Sequence, residues 1–252
     1  MLEPLPRDEL ESKTREALAR GLENNPRELL KWAHDLLGPR LMISTAFGKS
    51  GMSILHMLQD LELDLPIYFV DTGFHFQETL DYIDTLESAW GIKIQLQRPK
   101  LFGDEFKERF GEKLYENNPD LCCHKNKVEP FANLLEQYQG WIAGIRRDQS
   151  STRAAAEALE VLESNQLKVQ PLVLWTRKDV EQYLKDNKVP LHPLFSQGYP
   201  SIGCAPCTRP STDDGDERSG RWAGKGKTEC GLHLFRKKVD IDEKDDADGK
   251  SG

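Results

Sequence analysis

Leu41-Met42-Ile43-Ser44-Thr45-Ala46-Phe47-Gly48-Lys49-Ser50-Gly51-Met52-Ser53-Ile54-Leu55-His56-Met57-Leu58 is the stretch on which the fold turns. Leu41-Met42-Ile43 is a short apolar run suited to a buried strand, and a helical pattern resumes at Met52. Between them lies a polar, glycine-bearing loop, residues 44–51. The unit recurs downstream. Pro66-Ile67-Tyr68-Phe69-Val70 reads as a second strand, halted by the turn signal Asp71-Thr72-Gly73. Residues 76–90 read as a helix, Ile92-Lys93-Ile94-Gln95-Leu96 as a third strand, and residues 128–138 as a helix with Leu134 and Leu135 on its apolar side. Trp141-Ile142-Ala143-Gly144-Ile145 reads as a fourth strand and Leu172-Val173-Leu174-Trp175 as a candidate fifth. Thr176, with Asp179 in the reciprocal position, is an N-cap signal for the helix that follows. Strands alternating with helices predict an α/β fold, its mostly parallel sheet carrying helices on both faces.

Outward from this unit the chain changes character twice. Upstream, Leu10, Ala17, Leu18 and Leu22, then Leu29, Leu30, Trp32, Ala33 and Leu36, predict two helices, ended by Gly38-Pro39. Downstream of Pro190, proline, glycine and basic residues predict an irregular C-terminal extension. The division expected is a helical segment over 1–40, an α/β domain over 41–210, a mobile segment over 211–235, and an acidic, disordered tail over 236–252.

At 252 residues, the chain is long enough to bury a core without staples. Mean hydropathy of −0.62 predicts a soluble protein. No apolar run reaches the roughly 18 residues of a membrane helix, and the first residues lack a secretory pattern. A reducing, cytoplasmic setting is therefore expected, where paired cysteines more often hold metal or do redox work than form structural disulfides. The net charge of −8 argues against nucleic acid as partner. Much of the acidity lies in Asp240-Ile241-Asp242-Glu243-Lys244-Asp245-Asp246-Ala247-Asp248, the composition of a solvated tail.

Ligands in such sheets bind at the carboxyl ends of the strands. Three loops fall there: 44–51, 71–73 and 146–153. Gly48-Lys49-Ser50 is not a Walker motif, because Ile43 stands where its first glycine belongs. The loop is either an ordinary polar turn or an anion site built from helix N-terminal amides, the hydroxyls of Ser44, Thr45 and Ser50, and Lys49. Arg146, Arg147 and Arg153 lie past another strand end. They are either surface charge or planar donor forks for phosphate or sulfate.

Five cysteines carry the remaining chemistry. Cys122 and Cys123 are adjacent, and Cys204 and Cys207 form a C-x-x-C pair stiffened by Pro206. Two consecutive thiolates crowd a single tetrahedral zinc but suit neighbouring corners of a multi-iron cluster, so the spacing favours iron–sulfur over zinc. A redox dithiol at Cys204 and Cys207 leaves Cys122 and Cys123 unexplained. Cys230 is left over. It follows the basic, glycine-rich stretch 220–227, and nearby positive charge raises the thiolate fraction that makes a cysteine reactive.

Taken together, these motifs resemble the assimilatory adenylylsulfate and phosphoadenylylsulfate reductases, of the adenine nucleotide α-hydrolase-like group. The carriers are the 44–50 loop, Asp71-Thr72-Gly73, Gly144-Ile145-Arg146-Arg147-Asp148-Gln149-Ser150 with Thr152-Arg153, Trp175-Thr176 with Asp179-Val180, Gly198-Tyr199-Pro200-Ser201-Ile202-Gly203-Cys204, and Glu229-Cys230-Gly231-Leu232-His233. The Cys-Cys and C-x-x-C set resembles the branch that holds a [4Fe–4S] cluster, on Cys122, Cys123, Cys204 and Cys207. The resemblance implies reduction of adenosine 5′-phosphosulfate to sulfite and AMP in sulfate assimilation and cysteine biosynthesis. Cys230 would be the nucleophile, a cysteine S-sulfonate the intermediate, and thioredoxin the reductant. A lone thiol indeed needs an external dithiol to complete a two-electron reduction. Substrate contacts implied are Ser44, Thr45, Phe47, Gly48, Lys49, Ser50, Asp71, Thr72, Gly73, Lys127, Arg146, Arg147, Arg218, Arg221 and His233.

Two departures stand out. Asn126 precedes Lys127 where the family often has arginine, with Lys125 or His124 as replacement charge. Lys49-Ser50-Gly51 replaces acidic residues common in the loop. Both leave the 3′-phosphorylated nucleotide open as a substrate, alone or alongside the other. More distant alternatives are an ATP-consuming adenylating or tRNA-thiolating enzyme of the same fold, and an iron–sulfur nucleotide sensor. Oligomeric state stays open, a homo-oligomer included.

Overall fold

The computed structural model describes residues 3–211 and 216–232; the acidic tail and His233 lie outside them. Two helices open the chain, α1 (Arg7–Ala19) and α2 (Pro26–Leu37). Asn25 caps α2 by accepting from the Arg27 and Glu28 amides, and Pro26 takes the first turn, where no amide is needed. β1 (Leu41–Ser44) leads into α3 (Lys49–Asp60), and β2 (Ile67–Val70) into α4 (Gln77–Trp90). After β3 (Ile94–Gln97) come α5 (Asp104–Phe110), α6 (Leu114–Asn117), α7 (Pro119–Cys123) and α8 (Glu129–Leu135), with a π-helical turn, His124–Val128, joining the last two. β4 (Gly140–Ile142), β5 (Leu159–Val161), β6 (Leu167–Val169) and α9 (Arg177–Asp186) complete the regular elements.

The six strands form one sheet in the order β3-β2-β1-β4-β6-β5. Every pairing is parallel except β5 with β6. Successive side chains of a strand face opposite ways, and both faces are covered. Leu41, Ile43, Ile67, Phe69, Ile142, Leu167 and Val169 join one apolar cluster with residues of α1, α2, α3, α4 and α9. Met42, Tyr68, Val70 and Trp141 join a second with Phe131, Leu134 and Leu135 of α8. This two-sided burial is why the central strands read as unbroken apolar runs. The N-terminal helices thus share a core with the sheet.

The α/β reading holds, and the paired Thr176 and Asp179 cap α9 as expected. Residues 172–175 are not a strand. Val173 and Trp175 donate to the carbonyls of Gln170 and Leu172 at 3.2 and 3.0 Å, in turns that bury Leu172 and Val173. A short apolar run has no periodicity to separate a buried turn from a buried strand. The sheet is extended instead by the β5–β6 hairpin, whose turn contains Asn165 at φ 62°. The expected third strand starts two residues later, at Ile94, and the fourth is shorter, Gly140–Ile142.

Strand order reverses beside β1: β2 and β3 lie to one side, β4 and β6 to the other. Such a switch point opens a crevice at the carboxyl ends of the strands, here between the loops after β1 and β4.

Candidate active site

The crevice is a cleft of about 1220 Å³, counting the solvent at its mouth. Its floor follows from two local features. Phe47 adopts φ 57° and turns its ring into the core, stacked on Phe69 at 5.3 Å, while Ala46 and Gly48 line the cleft. Thr45 Oγ1 accepts from the Phe47 amide at 3.0 Å and fixes that turn. From the other side, Gly144 brings the loop after β4 against α3: a Cβ there would lie 3.1 Å from the Gly51 nitrogen. The first turn of α3 therefore presents its free amides to the cleft beside Ser44 and Ser50.

Cations and carboxylates alternate around this floor. Arg146, its side chain 2% exposed, donates to Ser50 Oγ at 2.7 Å, Asp148 at 2.9 Å and Glu217 at 2.8 Å. Glu217 also lies 3.6 Å from Arg177. Lys49 donates to Glu181 at 2.5 Å and sits over the Phe195 ring. Arg153 donates to Gln149 at 2.6 Å and, through two nitrogens, to Glu229 at 2.7 and 3.0 Å. Arg218 reaches the same Glu229 carboxylate at 3.1 Å. Two acidic residues of the C-terminal segment, Glu217 and Glu229, thus stand on the arginines of the cleft. Residues 216–232 of the segment expected to be mobile thus lie against the cleft.

Docking puts Cys230 in the cleft wall, half-buried. Burial pushes its thiol up, but Lys127, the backbone amide of Leu232, Arg221 and Arg218 outweigh it and hold the thiol below its ordinary range. Arg221 and Arg218 both lie over the Trp222 ring, at 4.6 and 5.7 Å. A side chain on Gly203 would occupy the space of the Arg221 guanidinium. His75, half-buried in the same wall, donates from Nε2 to the Val70 carbonyl at 3.0 Å. Its burial, with the Lys127 charge, pulls it down to about 4, so it is neutral at physiological pH.

Behind the cleft, Cys122, Cys123, Cys204 and Cys207 line one narrow cavity. α7 supplies the first pair. The second is anchored by the Ala205 amide on the Phe74 carbonyl at 2.7 Å, and Cys204 Sγ is hydrogen-bonded to Thr72 Oγ1 at 3.2 Å. Burial and the neighbouring Cys204, Cys123 and Cys207 push the Cys122 thiol up to about 12; burial also raises Cys123 and Cys207. Among the described residues, no three cysteine, histidine or acidic side chains gather at the spacing of a single metal ion. Four soft sulfur donors line one cavity, a donor set of the kind that zinc or an iron–sulfur group takes. Lys127 lines both the cavity and the cleft. Although burial opposes it, Cys204, Cys230 and Cys123 hold its ammonium above the ordinary range.

Of the residues singled out in the sequence, Ser44, Thr45, Gly48, Lys49, Ser50, Lys127, Arg146, Arg218, Arg221 and Cys230 line the cleft. Phe47 belongs to the core. Arg147 is exposed and donates to the Ala156 carbonyl at 2.8 Å; it opens a 3-10 turn, Arg147–Gln149, that Arg146 precedes in extended conformation. Asp71 accepts from the Gly73 amide and from Arg98, both at 3.0 Å, so this turn buttresses the cleft rather than lining it. Lys125 pairs with Glu129 at 3.4 Å, and neither it nor His124 lines the cysteine cavity. His75, Phe195, Glu217 and Trp222 line the cleft without having been singled out. His75 had a signal, two residues past a glycine turn at a strand's carboxyl end.

The family model described as the phosphoadenosine phosphosulfate reductase domain matches residues 40–210. The adenosine 5′-phosphosulfate reductase of Geobacillus kaustophilus is 42% identical over 209 residues, 82% of this chain and 89% of that protein. Adenosine 5′-phosphosulfate reductase 2 of Bacillus subtilis is 42% identical over 208 residues, covering 82% and 88%. Among solved structures, a phosphoadenylyl-sulfate reductase from Candida auris, a phosphate complex, superposes with a TM-score of 0.68 at 28% identity, covering 83% of this chain and all of that one. An FMN adenylyltransferase from Candida glabrata shares the fold at 16% identity, with a TM-score of 0.55.

Proposed function

The chain belongs to the phosphoadenosine phosphosulfate reductase family, and from that membership we infer that it is an oxidoreductase of sulfate assimilation, reducing adenosine 5′-phosphosulfate to sulfite and AMP. The observation that carries the mechanism is the Cys230 thiol in the cleft wall, held below its usual range with Lys127, Arg218 and Arg221 beside it. A thiolate approaching an anionic sulfate is repelled unless cations stand around the reacting group. These three side chains meet that need.

The nucleotide lies in the cleft, its phosphate facing the α3 N-terminus, Ser44 and Ser50. The Cys230 sulfur attacks the sulfur of the sulfate group, and the bond to the bridging oxygen breaks, releasing AMP. Cys230 then carries an S-sulfonate. A thioredoxin thiolate attacks the Cys230 sulfur and expels sulfite, leaving a mixed disulfide. The second thioredoxin thiol resolves it, so the two electrons come from the dithiol and Cys230 returns as thiolate. His75, neutral and hydrogen-bonded through Nε2, adds no competing charge to the cleft.

Cys122, Cys123, Cys204 and Cys207 would hold a [4Fe–4S] cluster. Its contribution when bound is structural and electrostatic, joining the α7 and Cys204 segments behind Lys127. The 3′-phosphorylated nucleotide is the second reading, favoured by Lys49 in the loop; the carboxylate of Glu181 on that lysine argues the other way. Comparing kcat/KM for the two nucleotides separates them. The mechanism is tested by mass spectrometry after mixing with adenosine 5′-phosphosulfate without reductant. The expected result is one sulfonate adduct, on Cys230, lost in Cys230→Ser; an adduct on another residue overturns the assignment.

A further inference from the structure

Asn126 is 1% exposed, on the π-helical turn directly behind the cysteine cavity. Its side-chain nitrogen donates to the Cys122 carbonyl at 3.0 Å and lies 3.7 Å from Cys122 Sγ. Its amide oxygen is buried without a partner. The orientation of this amide is fixed by chemistry: turned over, it would set oxygen against the Cys122 carbonyl oxygen and leave both N–H groups unused. As placed, its two N–H groups meet two acceptors of one residue, the carbonyl and the sulfur, and hold Cys122 in one rotamer. π-helical turns of this kind often mark functional sites.

We infer that Asn126 is a positioning residue for the iron–sulfur group proposed above, donating an N–H···S hydrogen bond to the Cys122 ligand sulfur and raising the reduction potential of the cluster held there. The inference rests on that proposed cluster. A protonated thiol is a weak acceptor, whereas a metal-bound thiolate carries negative charge and accepts strongly. Reduction adds further electron density to cluster and ligand sulfurs, so a donor on the sulfur stabilises the reduced form more than the oxidised one. A leucine would fill similar space with no donor. An arginine or lysine would bring a second buried cation beside Lys127, whose ammonium already serves both cavity and cleft. The amide supplies the hydrogen bond alone.

The test compares Asn126→Leu with the unaltered holoenzyme, purified anaerobically, by iron content, cluster midpoint potential and resonance Raman spectroscopy of the Fe–S(Cys) stretches. With full iron in both, the variant is expected to show a lower potential, the one-electron reduction constant falling about threefold or more. Its Fe–S(Cys) bands should move to higher frequency. Equal potentials and equal bands in two fully loaded proteins overturn the inference and leave the proposed function standing. An iron-free wild-type protein overturns the cluster reading itself, and this inference with it. Should Asn126→Leu fail to load iron, the wild-type enzyme labelled with ¹⁵N at its asparagine side-chain amides and reduced decides by pulsed EPR: a hyperfine coupling to a side-chain amide nitrogen supports the hydrogen bond, and its absence refutes it.

Discussion

The Cys230 thiol is drawn below its ordinary range by charges that belong to other parts of the chain, and each is open to removal. Arg218 is the most informative, because it touches both Glu229 and the Trp222 ring and lies outside the cysteine cavity. Burial, with Arg153 alongside, pulls Arg218 down to about 10, still protonated at neutral pH. Arg218 is one of the groups lowering the Cys230 pKa, so Arg218→Ala should raise it. The thiolate fraction at neutral pH then falls. Single-turnover sulfonation should slow severalfold at pH 7 and approach the wild-type rate at alkaline pH. A uniform loss across the pH range would mean that Arg218 acts only on the substrate. At this scale the lone thiol was legible because the other four cysteines formed pairs. The fate of Arg147 was not: Arg146 turns into the cleft, while Arg147 opens the 3-10 turn that follows and faces out, a difference set by backbone conformation rather than by residue type.

One anchor of the docked residues 216–232 is Glu229, whose side chain is 6% exposed between Arg153 and Arg218. Burial raises its pKa, but the hydrogen bond and charge of Arg153, then Arg218, lower it on balance, below its ordinary 4.5. A carboxyl whose folded pKa is depressed contributes stability that is complete above about 4.5 and lost as pH falls through the folded value. Limited proteolysis at Lys225 and Lys227 should therefore accelerate below that range in the wild type. In Glu229→Gln it should be fast already at pH 7, with sulfonation slowed. Breaking one partner of a buried pair costs about 3–5 kcal/mol elsewhere; here the loss falls on docking, not on the core, so the main thermal transition should stay in place. None of this was visible in the run from Arg221 to Cys230, where glycines and charge read as mobile. The pairing spans 76 residues, Arg153 to Glu229, and periodicity carries no information at that range. The β5–β6 hairpin was missed for a related reason: three-residue strands give too few alternations to count. The central strands were legible because burial on both faces left them wholly apolar.

Among the described residues, packing divides into two unequal bodies, the sheet with its helices and the α5–α7 region. The sheet and its helices hold the two large apolar clusters. Phe106, Leu114 and Cys122 form a separate small one, with Phe74, Leu101, Phe110, Tyr115 and Leu121 against it. That small cluster gives the α5–α7 region little apolar burial of its own, and hydrophobic stabilisation scales with area removed from water. Metal bound across Cys122, Cys123, Cys204 and Cys207 would join this region to the Cys204 segment and make the difference. Iron removal should therefore act regionally. With chelator present, far-UV circular dichroism and AMP binding should change little, since the β1 and β4 loops rest on the large clusters. Amide exchange should quicken over residues 104–128 and 204–211. Sulfonation of Cys230 should be lost, because Lys127 would no longer be held between cavity and cleft. Uniform acceleration of exchange through β1 and β4 as well would show that the metal supports the entire fold, and the division into two bodies would be wrong. Unchanged exchange at α7 would show that the four thiols need no metal to stay together.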